Sequence, residues 1–173
     1  MIYERYTNDT RTMHERYGLG ILMILMMLVG CRPDEVCRQD LGIAAGVVLR
    51  GISVDTAGVG SEFTNWDSIT VQGVGSDSVL YNNAKSVTTL RLPLRPDTAL
   101  TMYRLIWHGE EDTLYVRHDN TRRYISMACG CIIYHNIDTA WSSGVWIDSL
   151  EILNSTVESA AQNNIRIYTT IEE

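Results

Sequence analysis

The chain is poor in lysine, with Lys85 alone among its 14 basic residues, and it has no basic run. That excludes the electrostatic footprint of a nucleic-acid-binding protein. It also lacks any hydrophobic run long enough to cross a bilayer. The most apolar stretch without charge, Gly18 to Gly30, has thirteen residues, where a spanning helix needs roughly 20. There is no C-x-x-C, no G-x-S-x-G and no H-x-x-x-H or H-x-H. Their absence removes the common signatures of thiol redox enzymes, serine hydrolases and zinc sites. No helical periodicity is sustained beyond the N-terminal stretch, and no low-complexity linker divides the chain.

What is present begins with the N-terminus. Thirteen uncharged residues match the h-region of a secretory signal, typically about 7–15 residues long. Arg11 and Arg16 supply a basic flank, partly offset by Glu15. Met13 offers an alternative start that would make residues 1–12 an over-called extension. Leu28-Val29-Gly30-Cys31 has the form of a bacterial lipobox, in which the cysteine thiol receives a diacylglyceryl group and the leader is cut just before it. Each buried CH₂ contributes about 0.8 kcal/mol, so a doubly or triply acylated cysteine holds a protein on a membrane. The expected organisation is a signal peptide over 1–30, a tether over 31–40 carrying Pro33, Asp34 and Glu35, and a domain over 41–173. Processing at Cys31 would leave 143 residues with 11 basic and 18 acidic side chains, a net charge of −7. Such acidity favours solubility and leaves membrane attachment to the lipid.

The domain reads as a series of short strands separated by Gly, Asn, Asp and Pro. The expected strands are Gly46–Val54, Ser68–Gln72, Ser78–Tyr81, Ser86–Leu94, Leu100–His108, Thr113–His118, Arg123–Ala128, Cys131–Ile137, Val145–Leu153 and Asn164–Ile171. A turn at Gly109-Glu110-Glu111-Asp112 makes a hairpin of the fifth and sixth. A short helix is weighed for Ser155–Gln162, although its length is marginal. About nine strands at this spacing predict an all-β fold, an antiparallel β-sandwich of immunoglobulin-like type, with a small barrel as the alternative.

If Cys31 is acylated, Cys37, Cys129 and Cys131 remain. Export would place them where disulfides form. Cys37 is expected to pair with Cys129 or Cys131, closing a loop of roughly 90 residues and stabilising the fold by about 4–5 kcal/mol on the chain-entropy model.

Several segments in order carry a resemblance. They are Cys31 and Cys37, "DSITVQGVGSDSVLYNN" from Asp67, "LPLRPD" from Leu92, "DTLYVRH" from Asp112, "CG" at Cys129, "IDSLEI" from Ile147 and "NIRIY" from Asn164. With these the chain resembles small Bacteroidota envelope lipoproteins grouped as domain-of-unknown-function family 6452. The resemblance implies a lipid-anchored β-sandwich in which Cys37 pairs with Cys129; Cys131 departs from the pattern and leaves the pairing open. It implies no activity, so no catalytic residue is carried over.

The candidate sites are few. Trp141 and Trp146 flank "SSGV" before a strand, where stiff aromatic surface could contact a protein or a glycan. His108 and His118, with Glu110, Glu111, Asp112 and Asp119 nearby, would be the ligands of a metal-dependent envelope hydrolase. The plainer reading is polar residues at hairpin ends. "GEEDT" and "RHDNT" are oxygen-rich but do not follow the calcium-loop scheme. Cys129-Gly130-Cys131 with His135 is better read as structural than as a thiol nucleophile beside a base. "GVGSDS" lacks the lysine and helix of a phosphate loop and reads as a hairpin turn. The expected function is therefore a non-enzymatic binding or structural module without a cofactor. It is expected on the outer membrane, facing the periplasm or the cell surface, held by its lipid and partnered by an envelope protein or glycan. The other readings are the metal hydrolase and a small-ligand carrier in a β-barrel.

Overall fold

The computed structural model describes residues 42–158 and 161–172. The segment expected to be a signal peptide, the tether expected over 31–40, Cys31 and Cys37 lie outside the described residues. Eleven strands follow one another: β1 (Ala45–Val54), β2 (Gly60–Phe63), β3 (Ile69–Gly73), β4 (Val79–Ala84), β5 (Thr89–Leu92), β6 (Leu100–Trp107), β7 (Glu110–Ser126), β8 (Gly130–Ser142), β9 (Ser149–Ile152), β10 (Thr156–Val157) and β11 (Ile165–Glu172). They form two sheets in a sandwich-like arrangement, as the alternation of apolar and polar residues requires. One sheet has the order β2-β1-β11-β9, with β5 also on β1. The other has the order β10-β8-β7-β6-β3-β4.

In the smaller sheet β1 buries Ala45, Val47 and Leu49 and turns Arg50 and Ile52 outward. This is the period-two pattern of a half-buried strand. β5 covers Ala45–Val48 and β2 covers Gly51–Val54, so the two lie end to end along one edge of β1. The Phe63 ring lies over Gly51, where a Cβ would come within 1.9 Å of it and force the ring to move. The other edge of β1 pairs with β11 in parallel, Val47 opposite Ile165. That single parallel pairing departs from the wholly antiparallel expectation. A parallel neighbour needs a crossover connection, and here nearly the whole domain lies between the two strands.

In the larger sheet β6 and β7 join through His108 and Gly109, with φ of +50° and +84°. Two successive positive φ values make the two-residue hairpin turn that matches strand twist. The expected turn at Gly109–Asp112 is thus shorter, and β7 begins at Glu110 opposite Trp107. β7 then runs unbroken for 17 residues, merging two expected strands. Its polar stretch from His118 to Arg123 hides the alternation, but main-chain pairing with β8 continues through it. β2 and β10 were not expected. The helix weighed for Ser155–Gln162 gives way to β10, which pairs with His135 and Asn136 of β8. Among the described residues there is no helix.

Both sheets contribute to one core. Trp66, Ile69, Val71, Leu90, Leu92, Leu105, Leu114, Ile165 and Ile167 are fully or almost fully buried within it. Two separate sheets packed on such a core form a sandwich rather than a closed barrel.

Candidate binding surface

Trp141 lies on the outer face of the larger sheet and keeps 38 % of its surface exposed. Its partner across the ladder is Tyr115, and Tyr115 in turn faces Met102 on β6. The rings of Tyr115 and Trp141 are 5.2 Å apart and parallel within 1°. The Arg117 guanidinium lies over the Trp141 ring, 5.8 Å from its centre. Cross-strand aromatic pairs stabilise a sheet, and a cation over an indole adds attraction to its negative face. The result is a cationic and aromatic surface on a rigid sheet.

Trp146 is not part of it, which corrects the expectation that both tryptophans reach a partner. It is 8 % exposed and its ring packs 5.2 Å from that of Trp107. The cause is Asp112. This carboxylate is fully buried at the start of β7. One oxygen accepts the Ser143 hydroxyl, and the other accepts the N–H groups of Val145, Trp146 and Ile147 at 2.8, 3.1 and 3.1 Å. Burial opposes ionisation, but the Ser143 hydroxyl and the three N–H groups together outweigh it and hold the carboxyl below the usual range. A buried carboxylate with that many donors is stable. It draws the segment after β8 inward and takes Trp146 with it. In the sequence Asp112 looked like one more polar residue of a turn; its three N–H partners lie more than thirty residues away, where no local pattern registers them.

The histidines do not assemble a metal centre. His108 sits in the β6–β7 turn, its Nε2 3.4 Å from Asp67, which also accepts the Trp107 indole N–H at 3.0 Å. His118 lies at the other end of the paired part of β7. Eight residues of strand from Glu110 to His118 span about 27 Å, so the two rings cannot share an ion. Among the described residues no three of His, Cys, Asp and Glu come together as a metal set. His135 is engaged with Asn120, and four residues of strand, about 13 Å, separate it from Cys131. Cys131 is a free, exposed thiol, so it does not serve as the alternative disulfide partner. Cys129 is disulfide-bonded. The Gly73–Ser78 segment forms the β3–β4 turn, with Gly75 at a φ of +79°. Together with Pro93, Arg95, Met102 and Tyr103 it lines an open cleft of about 380 Å³.

A family model described as a family of unknown function (DUF6452) matches residues 68–169, more than half of the chain. The match runs from the start of β3 into β11 and includes Asp112, Tyr115, Arg117 and Trp141. No curated protein and no solved structure matches the chain.

Proposed function

The chain belongs to this family of unknown function, and from that premise we propose that it is a lipid-anchored, non-enzymatic module of the bacterial envelope that binds a protein partner through Arg117, Trp141 and Tyr115. The observation that carries the binding role is the exposed Trp141 stacked on a tyrosine with an arginine guanidinium over its ring. Trp, Tyr and Arg are the residue types that dominate binding energy at protein interfaces, and pairing across the sheet pre-orders these three. Tyr115 occupies one ring face and Arg117 lies over the ring, so little open indole remains for a sugar to stack on. A protein surface can use the ring edges and the guanidinium instead.

The anchoring role rests on the sequence. A thirteen-residue apolar stretch ends at Leu28-Val29-Gly30-Cys31, which supports acylation of the Cys31 thiol after removal of residues 1–30. On this reading the attached domain faces the periplasm or the cell surface, and Cys37 ties the tether to Cys129. The small Bacteroidota lipoproteins that the chain resembles are the proposed setting.

Cross-linking in intact envelopes tests both halves. The full-length chain should capture a defined protein, and Trp141→Ala should lose it while staying in the membrane fraction. Mass spectrometry of the N-terminal peptide should show acyl chains on Cys31. Undiminished capture by the Trp141 variant, or capture of glycan alone, would overturn the protein-binding surface. An unmodified Cys31 still joined to its leader would overturn the anchor.

A further inference from the structure

The inner face of β7 and β8 carries a polar cluster in which His118 and His135 are buried and Asn120 is exposed. β8 has one extra residue, Asp138, between the pairs Arg117–Thr139 and His118–Ile137. This bulge sets the register beyond it, so Asn120 lies opposite His135, with His118 two residues away on the same face. The Asn120 amide nitrogen donates to the carbonyls of Thr98, Pro96 and Arg95 at 2.7, 3.1 and 3.3 Å. Three acceptors around one nitrogen fix the orientation of the amide, so its oxygen faces the two rings. That oxygen lies 2.8 Å from His118 Nδ1 and 2.7 Å from His135 Nδ1.

An amide oxygen only accepts, so both rings must carry a proton on Nδ1. Neutral His118 then has a lone pair on Nε2, and Thr101 donates its hydroxyl to it at 2.8 Å. The Thr101 oxygen accepts the Arg95 N–H at 3.0 Å. The loop between β5 and β6 is therefore held at Arg95, Pro96 and Thr98 through Asn120 and Thr101, and with neutral rings the Thr101 hydroxyl hydrogen also has its acceptor in His118 Nε2. The rings stand edge to face with centres 5.2 Å apart, and His118 and His135 are 1 % and 5 % exposed.

We propose that His118, Asn120 and His135 form a proton-operated latch that holds the 95–98 loop against the sheet, and that proton uptake by the pair releases the loop and reshapes the cleft beside it. A proton on His118 Nε2 would point at the Thr101 hydroxyl hydrogen, which must turn away. A second proton on His135 would place two cations side by side in a buried site. The loop end at Pro93 and Arg95 forms one wall of the cleft against the Gly73–Ser78 turn, so loop and cleft move together.

The surrounding charges do not remove this sensitivity. Asp119 on β7 is exposed and favours the charged form of His118, but burial outweighs it and lowers the affinity of that ring for protons. Burial, and then the neighbouring His118, push His135 down to about 4. Asp138 on β8 and Glu158 after β10 are exposed. Arg95 and Asp97 on the loop pair with each other at 2.9 Å. Val157, opposite His135 on β10, carries no charge.

Amide hydrogen exchange at pH 7 and at about pH 4.5, corrected for intrinsic rates, tests the latch. The Arg95 amide should lose protection about tenfold or more on acidification and remain well below β1 and β11, which open only with the whole fold. The His118→Gln, His135→Gln double variant should abolish that dependence. Should that variant not fold, nitrogen-15 spectra of the native rings decide, with both neutral and protonated on Nδ1 at pH 7. Loop protection that is independent of pH, loss that persists in the double variant, an Arg95 amide as well protected as β1 and β11 at about pH 4.5, or rings protonated on Nε2 at pH 7 would each overturn the proposal.

Discussion

The carboxylate of Asp112 accepts the main-chain N–H of Trp146 across 34 residues of sequence. This contact decides which tryptophan is core and which is surface, because the same carboxylate also gathers Val145 and Ile147. Asp112→Ala leaves three N–H groups without an acceptor, each costing about 1–3 kcal/mol when buried. The expected loss is at least about 3 kcal/mol in urea unfolding. Asp112→Asn keeps one oxygen for the three N–H groups and can donate its amide to the Ser143 oxygen, so it should lose less than Asp112→Ala. A loss below about 1 kcal/mol for both would show that the carboxylate does not anchor this segment.

Acid should weaken the fold in two stages. His135 binds protons less readily when folded, at about 4, than in the unfolded chain, near 6.5. Its contribution is therefore fully present above 6.5, falls with pH from there to about 4, and is lost below. The total change is about 3 kcal/mol. His118 is shifted in the same direction. Asp112 has a lowered folded value, so its contribution is present above the ordinary carboxylate range and disappears as pH falls through the folded value. Urea midpoints measured from pH 8 to pH 3 should show the histidine stage first. In His135→Gln that first stage should shrink, and an unchanged curve would refute the assignment.

The two tryptophans near the end of β8 should behave oppositely. Trp146→Ala empties part of the core and should cost about 3–5 kcal/mol. Trp141→Ala removes an exposed cross-strand partner of Tyr115 and should cost about 1 kcal/mol or less, while abolishing partner capture. Denaturation and cross-linking on the same pair of variants check this. Equal destabilisation of both would contradict their placement.

The cysteines should also separate. Cys131→Ser should leave stability and non-reducing mobility unchanged, because that thiol is free. Cys129→Ser should lower stability by about 4–5 kcal/mol if the long loop is the one closed. Peptide mapping without reductant should recover Cys37 joined to Cys129. A Cys37–Cys131 peptide would refute that pairing.

Much of the fold was legible because it is written in alternation. "TMYRLIW" and "VVLRGISV" carry their inward and outward faces at every second residue, and both are strands. The turn at His108-Gly109 was placed a little late, since Glu110 and Glu111 resemble loop residues although they pair with Ile106 and Trp107. β2 and β10 escaped because four and two residues carry too little pattern. Asp112, His118 and His135 escaped for another reason. A polar residue that will be buried looks like one that will be solvated until its hydrogen-bond partners are known.

The amino-acid order alone determined the strand-rich class, the approximate place of most strands, the acidic composition and the uncharged apolar stretch before Cys31, because each depends on neighbours or on composition. Only the tertiary structure decided that Trp141 faces outward and Trp146 inward, that His108 and His118 stand far apart, and that His118 and His135 share one amide. Those outcomes come from contacts between residues distant in the chain, and burial is a property of the packed whole.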